Sequence, residues 1–328
     1  MESNKKYNSP LKATLTGILS LFKERPRVGL LSEGDRLEGK KVIITGASSG
    51  LGLATAKKIA GLGAEVIMGV RSGIPEKGEE VKKDSGSDKI YMNYVDLSDF
   101  ESIKNFVFEI KEQYGAIDVL ICNAAMVASK ARKTKSGLEE MFMVNYLSTY
   151  YLVRLMLEHG LINQDGSELP RIVMVNSESH RDPKEFDWSK FGKFEPYSMG
   201  KTVQLYGYYK LLLVTFAREL SRRLNKDKVT HSVFALCPGP VNSNIAREAP
   251  AVFKPLLRVV FGMFFSSPAK ASEPVVYLSA SKEVESKDFD YLFLMQRKKI
   301  DEKATDELNG IKLWDLSEKL VKDLGIEI

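Results

Sequence analysis

This sequence is poor in the residues that hold small or cross-linked folds together. Its 328 residues include two cysteines, Cys122 and Cys237, and three histidines, His159, His180 and His231. Each cysteine lies inside an apolar run, which suits a buried thiol in a reducing compartment rather than a disulfide framework. No Cys/His/carboxylate spacing of the zinc-binding kind occurs, so no metal is expected. Charge of one sign is also scarce. The formal net charge is +5, with no long basic block, which argues against a nucleic-acid partner. No apolar run is long enough to cross a bilayer, and the N-terminus lacks the continuous apolar stretch of a signal peptide. A cytoplasmic location is the expectation. Internal repeats and low-complexity tracts are absent as well.

What is present is strand–helix alternation. Apolar runs at Val42–Thr45, Glu65–Val70, Ile90–Val95, Ile117–Cys122, Ile172–Asn176 and His231–Cys237 read as strands. Between them Leu51–Leu62, Phe100–Tyr114, Leu138–Leu157 and Tyr206–Leu224 read as helices. Buried strands alternating with helices predict an α/β fold, a doubly wound parallel sheet of Rossmann type with helices on both faces, in a single domain. Residues 1–37 form an N-terminal extension, 38–285 the main domain, and 286–328 a C-terminal strand, near Tyr291–Met295, with a polar helical tail. Residues 181–200 break the rhythm with Pro183, Gly192, Pro196 and Gly200 and are expected to be a loop insertion.

In the extension, Ser9-Pro10 is a helix-start signal, and Leu11, Leu15, Ile18, Leu19 and Phe22 share one helical face beside several basic residues. Two readings stay open for residues 9–22: a helix packed on its own domain or on a second copy of the chain, or a basic amphipathic helix on a membrane surface. Peripheral membrane association and a homodimer thus both remain expectations, and the apolar stretch 251–265 could serve either.

Strand Val42–Thr45 runs straight into Gly46-Ala-Ser48-Ser49-Gly50-Leu51-Gly52 and then a helix. Glycines permit the tight turn and a close approach of backbone to a pyrophosphate, while the helix N-terminus offers free N–H groups and the positive end of its dipole. A first-strand position heading a β-α series is the context that makes this a dinucleotide cradle.

The string Thr45–Gly52 resembles the cofactor motif of the short-chain dehydrogenase/reductases, and the resemblance covers most of residues 40–282. It implies further cofactor contacts. Asp96-Leu97 resembles the adenine-contacting segment. Cys122-Asn123-Ala124-Ala125 resembles an Asn-Asn-Ala-Gly motif. Pro238-Gly239-Pro240-Val241 with Ser243 resembles the segment that receives the nicotinamide carboxamide.

Cofactor choice has a physical signature. NAD enzymes place a carboxylate at the end of the second strand to hold the ribose hydroxyls. Here Val70 stands there and Arg71 follows. An arginine fork suits a 2′-phosphate, so NADP(H) is expected in preference to NAD(H).

Hydride addition to a carbonyl leaves an alkoxide that needs a proton. Tyrosine can supply it if its pKa of ~10 falls by ~3 units, which takes about 4 kcal/mol. A lysine ammonium one helical turn away, with the positive charge of an oxidised nicotinamide, could provide this. Two pairs have that spacing, Tyr197/Lys201 and Tyr206/Lys210. Pro196 and Gly200 make the first an unpromising helix. The second leads without a gap into Leu211–Leu224, which resembles the stretch after the catalytic lysine of retinol-dehydrogenase-like enzymes. Tyr206 and Lys210 are therefore the expected acid/base and its partner. The resemblance adds Ser177, at the end of the fifth strand, as the group that orients substrate, with Asn176 where a serine is frequent. It adds Asn145 as a proton relay, and an Asn inside an apolar helix must in any case be hydrogen-bonded.

The resulting expectation is an NADP(H)-dependent oxidoreductase that interconverts a carbonyl and an alcohol on a small hydrophobic substrate, with 251–265 at the family's substrate lid. A nucleotide sensor without turnover would need a lost catalytic group, and none is lost. A lipid-binding protein on a membrane surface would use both apolar segments.

Overall fold

Short β-branched runs set the sheet. The computed structural model describes residues 28–162, 168–241 and 266–328. Strands β1 (Lys41–Thr45), β2 (Glu65–Val70), β3 (Ile90–Tyr94), β4 (Val119–Cys122), β5 (Arg171–Val175), β6 (Ser232–Cys237) and β7 (Phe289–Phe293) pair in parallel. The short β8 (Gln296–Arg297) returns antiparallel on β7. Among the described residues the order is β3-β2-β1-β4-β5-β6-β7-β8. Successive side chains of one strand serve different cores because helices cover both faces. Ile43, Ile67, Leu120 and Ile172 join one cluster, and Val42, Ile44, Val66 and Met68 the other. Chain connections leave β1 in opposite directions toward β2 and β4. This reversal opens a crevice at the carboxyl ends of the strands, where ligands of such sheets bind.

The longer helices among the described residues are α1 (Gly50–Gly61), α2 (Glu76–Ser85), α3 (Phe100–Gln113), α4, α5 (Met199–Leu224), α6 (Glu273–Ala280) and α7 (Glu307–Asp323). α3 shows why such a segment folds. Asp99 caps it by accepting from the Glu101 N–H, and Phe100, Ile103, Phe106, Val107 and Ile110 form its buried stripe. α4 is not a regular helix over Leu138–Leu157. It starts at Glu140–Phe142, passes through a π turn at Met143–Leu147, and continues over Ser148–Glu158. α5 begins seven residues before Tyr206, because the single Gly200 costs only about 1 kcal/mol in a long helix. The polar α2 was not apparent in the sequence pattern.

α7 lies over α4 and α5. The Tyr146 and Ser317 hydroxyls are 2.6 Å apart, and Trp314 packs against the rings of Tyr150 and Phe216. The C-terminal residues therefore complete the core of the main sheet, with Tyr291 and Leu292 of β7 buried in it. Residues 9–22, 251–265 and Ser243 lie outside the described residues.

Candidate active site

The crevice holds a cleft of about 440 Å³ at the carboxyl ends of β1, β2, β4, β5 and β6. One end is the glycine turn. Gly46 and Gly50 have positive φ of 67° and 53°. A Cβ on Gly52 would stand 2.4 Å from the Gly46 carbonyl oxygen and 2.5 Å from Asn123 Nδ2, so only glycine fits. Ser49 begins α1 without a side-chain cap, and the first turn carries no acidic residue. The first N–H groups of α1, with Ser48 and Leu51 beside them on the cleft wall, are thus left to an anion.

Asn123 acts on this cradle from below. Its Nδ2 donates to the Thr45 and Gly46 carbonyls at 2.9 and 3.2 Å, while Thr45 Oγ1 accepts from the Asn123 and Ala124 N–H groups. The ends of β1 and β4 are locked together, with Ala124 packed against Gly46. Arg71 lines the cleft just past β2, its side chain 51% exposed, with Nη1 3.7 Å from Asp96 Oδ2. Asp96 Oδ1 meanwhile accepts from the main chain and hydroxyl of Ser98, which fixes the carboxylate, and Leu97 lines the cleft beside it.

Ser177, Tyr206 and Lys210 line the far end, with Pro238, Gly239 and Val241 from the loop after β6. Gly239 has a φ of 76°, and a Cβ there would meet Leu294 at 2.5 Å. Ser177 Oγ accepts from the Ser179 hydroxyl at 2.9 Å and the Ser179 N–H at 3.3 Å. Its own hydrogen is left to donate. Lys210 is fully enclosed. Its Nζ donates to the Val175 carbonyl at 2.9 Å and sits 5.7 Å from the centre of the Tyr206 ring. Burial lowers the Lys210 pKa to about 8. Burial also pushes the Tyr206 hydroxyl up, not down. Desolvation is the leading cause, and the neighbouring Cys237 thiol adds to it.

Asn145 is buried in the π turn and does not line the cleft. Its Oδ1 accepts from the Met126 N–H at 2.9 Å and its Nδ2 donates to the Met126 carbonyl at 2.8 Å. Met126 is cleft wall. The π turn inserts one residue into the helix and so turns this amide toward the loop after β4. The rival pair does not meet in the cleft. The Tyr197 hydroxyl donates to the buried Glu139 at 2.9 Å, so it is an anchor of the insertion rather than a surface group, while Lys201 is exposed on α5.

Two cleft residues escaped sequence reasoning. Asn176 was noted only as a replacement for serine. Its Oδ1 accepts from the Ser177 N–H at 2.7 Å, and its Nδ2 is buried with no partner, an orphan among the described residues. Cys237, a buried thiol by its apolar run, also lines the cleft together with Lys210 and Pro238; burial pushes its pKa up to about 12. Its place directly before Pro238-Gly239 was the available signal. No group of His, Cys, Asp and Glu among the described residues could hold a metal. The cradle that a Cβ would fill, the uncapped helix and the unpaired Asn176 amide fit a bound dinucleotide.

The family model described as short chain dehydrogenase matches residues 40–188. The chain is 33% identical to human retinol dehydrogenase 14, over 94% of this chain and 96% of that one. It is 32% identical to the chicken WW domain-containing oxidoreductase, over 89% of this chain and 70% of that one. A solved structure from Mycobacterium paratuberculosis superposes with a TM-score of 0.67 at 26% identity, covering 88% of this chain and 95% of that one. The Pseudomonas aeruginosa RhlG/NADP complex shares the fold, with a TM-score of 0.62 at 18% identity, over 80% and 98%.

Proposed function

The chain belongs to the short-chain dehydrogenase/reductase family, as a retinol-dehydrogenase-like NAD(P)-dependent oxidoreductase, and from that premise we propose that it prefers NADP(H) and interconverts a hydrophobic carbonyl with its alcohol. The observation that carries this reading is the layout of one cleft. Arg71 and the α1 N-terminus stand at one end, and Ser177, Tyr206 and Lys210 at the other. A bound NADP(H) supplies the hydride and, when oxidised, a positive charge. Arg71 takes the 2′-phosphate, and the α1 N–H groups take the pyrophosphate.

Ser177 Oγ donates to the substrate carbonyl oxygen, since its lone pairs already receive two hydrogens from Ser179. Tyr206 gives its proton to that oxygen as the carbon–hydrogen bond forms, and takes it back in the alcohol-to-carbonyl direction. Lys210, anchored on Val175, is charged below pH 8 and steadies the resulting phenolate. Asn145 supports the cleft wall through Met126. The apolar residues Met126, Val127, Val144 and Val241 on the cleft wall favour a hydrocarbon-rich substrate. Retinal and retinol are the first pair to test because relatives bear that name. The experiment is a panel of aldehydes, ketones and alcohols, retinal included, followed at the nicotinamide absorbance with each cofactor. Turnover only of small polar sugars, or only with NADH, would refute the proposal.

A further inference from the structure

Behind Ser177 lies a buried polar cluster that the reaction as described does not use. Ser177 leads into a single 3-10 turn, Glu178–Arg181. His180 in that turn is wholly enclosed. Its Nδ1 lies 2.7 Å from the Ser177 carbonyl oxygen, and its Nε2 lies 3.3 Å from the main-chain nitrogen of Asp301. A carbonyl can only accept and a main-chain N–H can only donate. The ring is therefore neutral, with hydrogen on Nδ1 and a lone pair on Nε2. Burial, reinforced by the neighbouring Arg181, keeps its pKa low, at about 4. Asp301 has a defined place of its own, because its carboxylate caps the short helix Glu302–Thr305.

The adjoining Glu178 is held by the same part of the chain. It accepts from Tyr291 Oη at 2.8 Å, from Arg181 Nε at 3.1 Å and from Lys298 Nζ. On the other side, α5 presses on the turn at Gly207, where a Cβ would stand 2.7 Å from the Ser179 carbonyl oxygen. Ser177 is thus the first residue of a turn gripped between α5 and the C-terminal segment.

We propose that His180 is a positioning residue for Ser177: its imidazole is a two-ended strut through which the segment after β8 holds the Ser177 main chain, and so aims the Ser177 hydroxyl at the substrate oxygen. The proposal rests on the role given to Ser177 above. Both strut bonds are main-chain bonds, so they set the path of the backbone rather than any charge at the site. The glycine cradle belongs to β1 and α1 and Arg71 follows β2, and neither touches an atom of the strut, so the contacts to the cofactor's phosphates do not pass through it.

His180→Asn keeps a donor near the Nδ1 position and loses the reach to Asp301. His180→Gln keeps an acceptor near Nε2 and loses the donor to Ser177. These two are compared with His180→Ala, Ser177→Ala and the double variant Ser177→Ala/His180→Ala. Retinal reduction is measured under saturating NADPH, with rates normalised to NADPH sites titrated by fluorescence, so that poorly folded protein does not count. His180→Ala is expected to lower kcat roughly 10- to 100-fold, the effect of a displacement of about an ångström, with NADPH affinity unchanged within about twofold. Asn should recover more of kcat than Gln, while exchange of the Asp301 amide hydrogen quickens in Ala and Asn but not in Gln. The double variant should be no slower than Ser177→Ala, because His180 acts through Ser177. A slow Ser177→Ala together with additive losses, or a normal kcat per NADPH site in His180→Ala, overturns the proposal alone. A normal kcat in Ser177→Ala overturns both the proposal and the role assigned to Ser177.

Discussion

Replacing Arg71 with alanine is expected to separate the two nicotinamide cofactors. The guanidinium stands at the cleft edge past β2, half exposed, with Asp96 as an ionic neighbour at 3.7 Å. That distance is too long for a hydrogen bond, so turning the arginine toward a phosphate sacrifices little. A charge-assisted hydrogen bond contributes about 1.5–3 kcal/mol. A side chain 51% exposed works in a screened setting where ion pairs contribute about 0–1 kcal/mol, which trims the sum to about 1–2 kcal/mol. NADPH affinity should then fall roughly 5- to 30-fold, at a factor of ten per 1.4 kcal/mol. NADH has no 2′-phosphate, and its affinity should stay within about twofold. Raising the salt should weaken NADPH binding to the wild type more than to Arg71→Ala, because the missing contact is ionic and open to solvent. Arg71→Lys should fall between the two, keeping the charge and losing the fork. Isothermal titration of both cofactors against the three proteins reads all of this. Equal loss of NADH and NADPH in Arg71→Ala would refute the reasoning. It would mean that Arg71 supports the Asp96 loop and the adenine pocket instead of selecting a phosphate.

Three other outcomes are expected. Tyr206→Phe should abolish turnover in the carbonyl panel while NADPH still binds, whereas Tyr197→Phe should keep its kcat and lose about 1–3 kcal/mol of stability in urea titration, since it takes a donor from the buried Glu139. Lys210 has a folded pKa of about 8 against 10.5 unfolded, so between those values the unfolded chain binds more protons and stability rises with pH. The penalty for burying the ammonium is fully present below pH 8 and gone above 10.5, and the wild type should gain on the order of 3 kcal/mol over Lys210→Met across that window; parallel stability curves would contradict it. Gly207→Ala places a methyl 2.7 Å from the Ser179 main-chain oxygen, which can give way only together with its turn, so it should cost about 1–3 kcal/mol by calorimetry and lower kcat more than it raises KM, because the Ser177 turn is what yields.

Much of the molecule is written in local signals. The existence of the strands follows from apolar runs separated by helices, since a buried parallel strand needs no partner to declare itself; their order in the sheet came from the tertiary structure. The cradle is legible because Gly46 and Gly50 take the left-handed backbone that favours glycine and Gly52 has no room for a Cβ. Helix α2 was not legible. Its buried residues are only Gly78 and Val81 amid Glu and Lys, too few for a stripe. The two Tyr/Lys pairs have identical spacing, and sequence could separate them only by Pro196 and Gly200. Tertiary structure separates them by what each hydroxyl faces: Tyr206 the cleft, Tyr197 the carboxylate of Glu139.

Other features arise only when distant segments meet. Asn145 was expected to be hydrogen-bonded, but its partner, Met126, is chosen by a π turn with no sequence signature. The direction of the Tyr206 shift reverses from the simple pairing argument because burial, its leading cause, is a property of the whole fold and not of two residues one helical turn apart. The grip on Ser177 depends on His180 meeting Asp301, 121 positions along the chain, once β7 has joined the sheet beside β6. Sequence by itself determined the strand–helix alternation and the glycine cradle, because periodicity and backbone geometry are properties of neighbouring residues. Only the tertiary structure decided which groups are desolvated and which carbonyl meets which donor, because both depend on contacts between segments that no local pattern encodes.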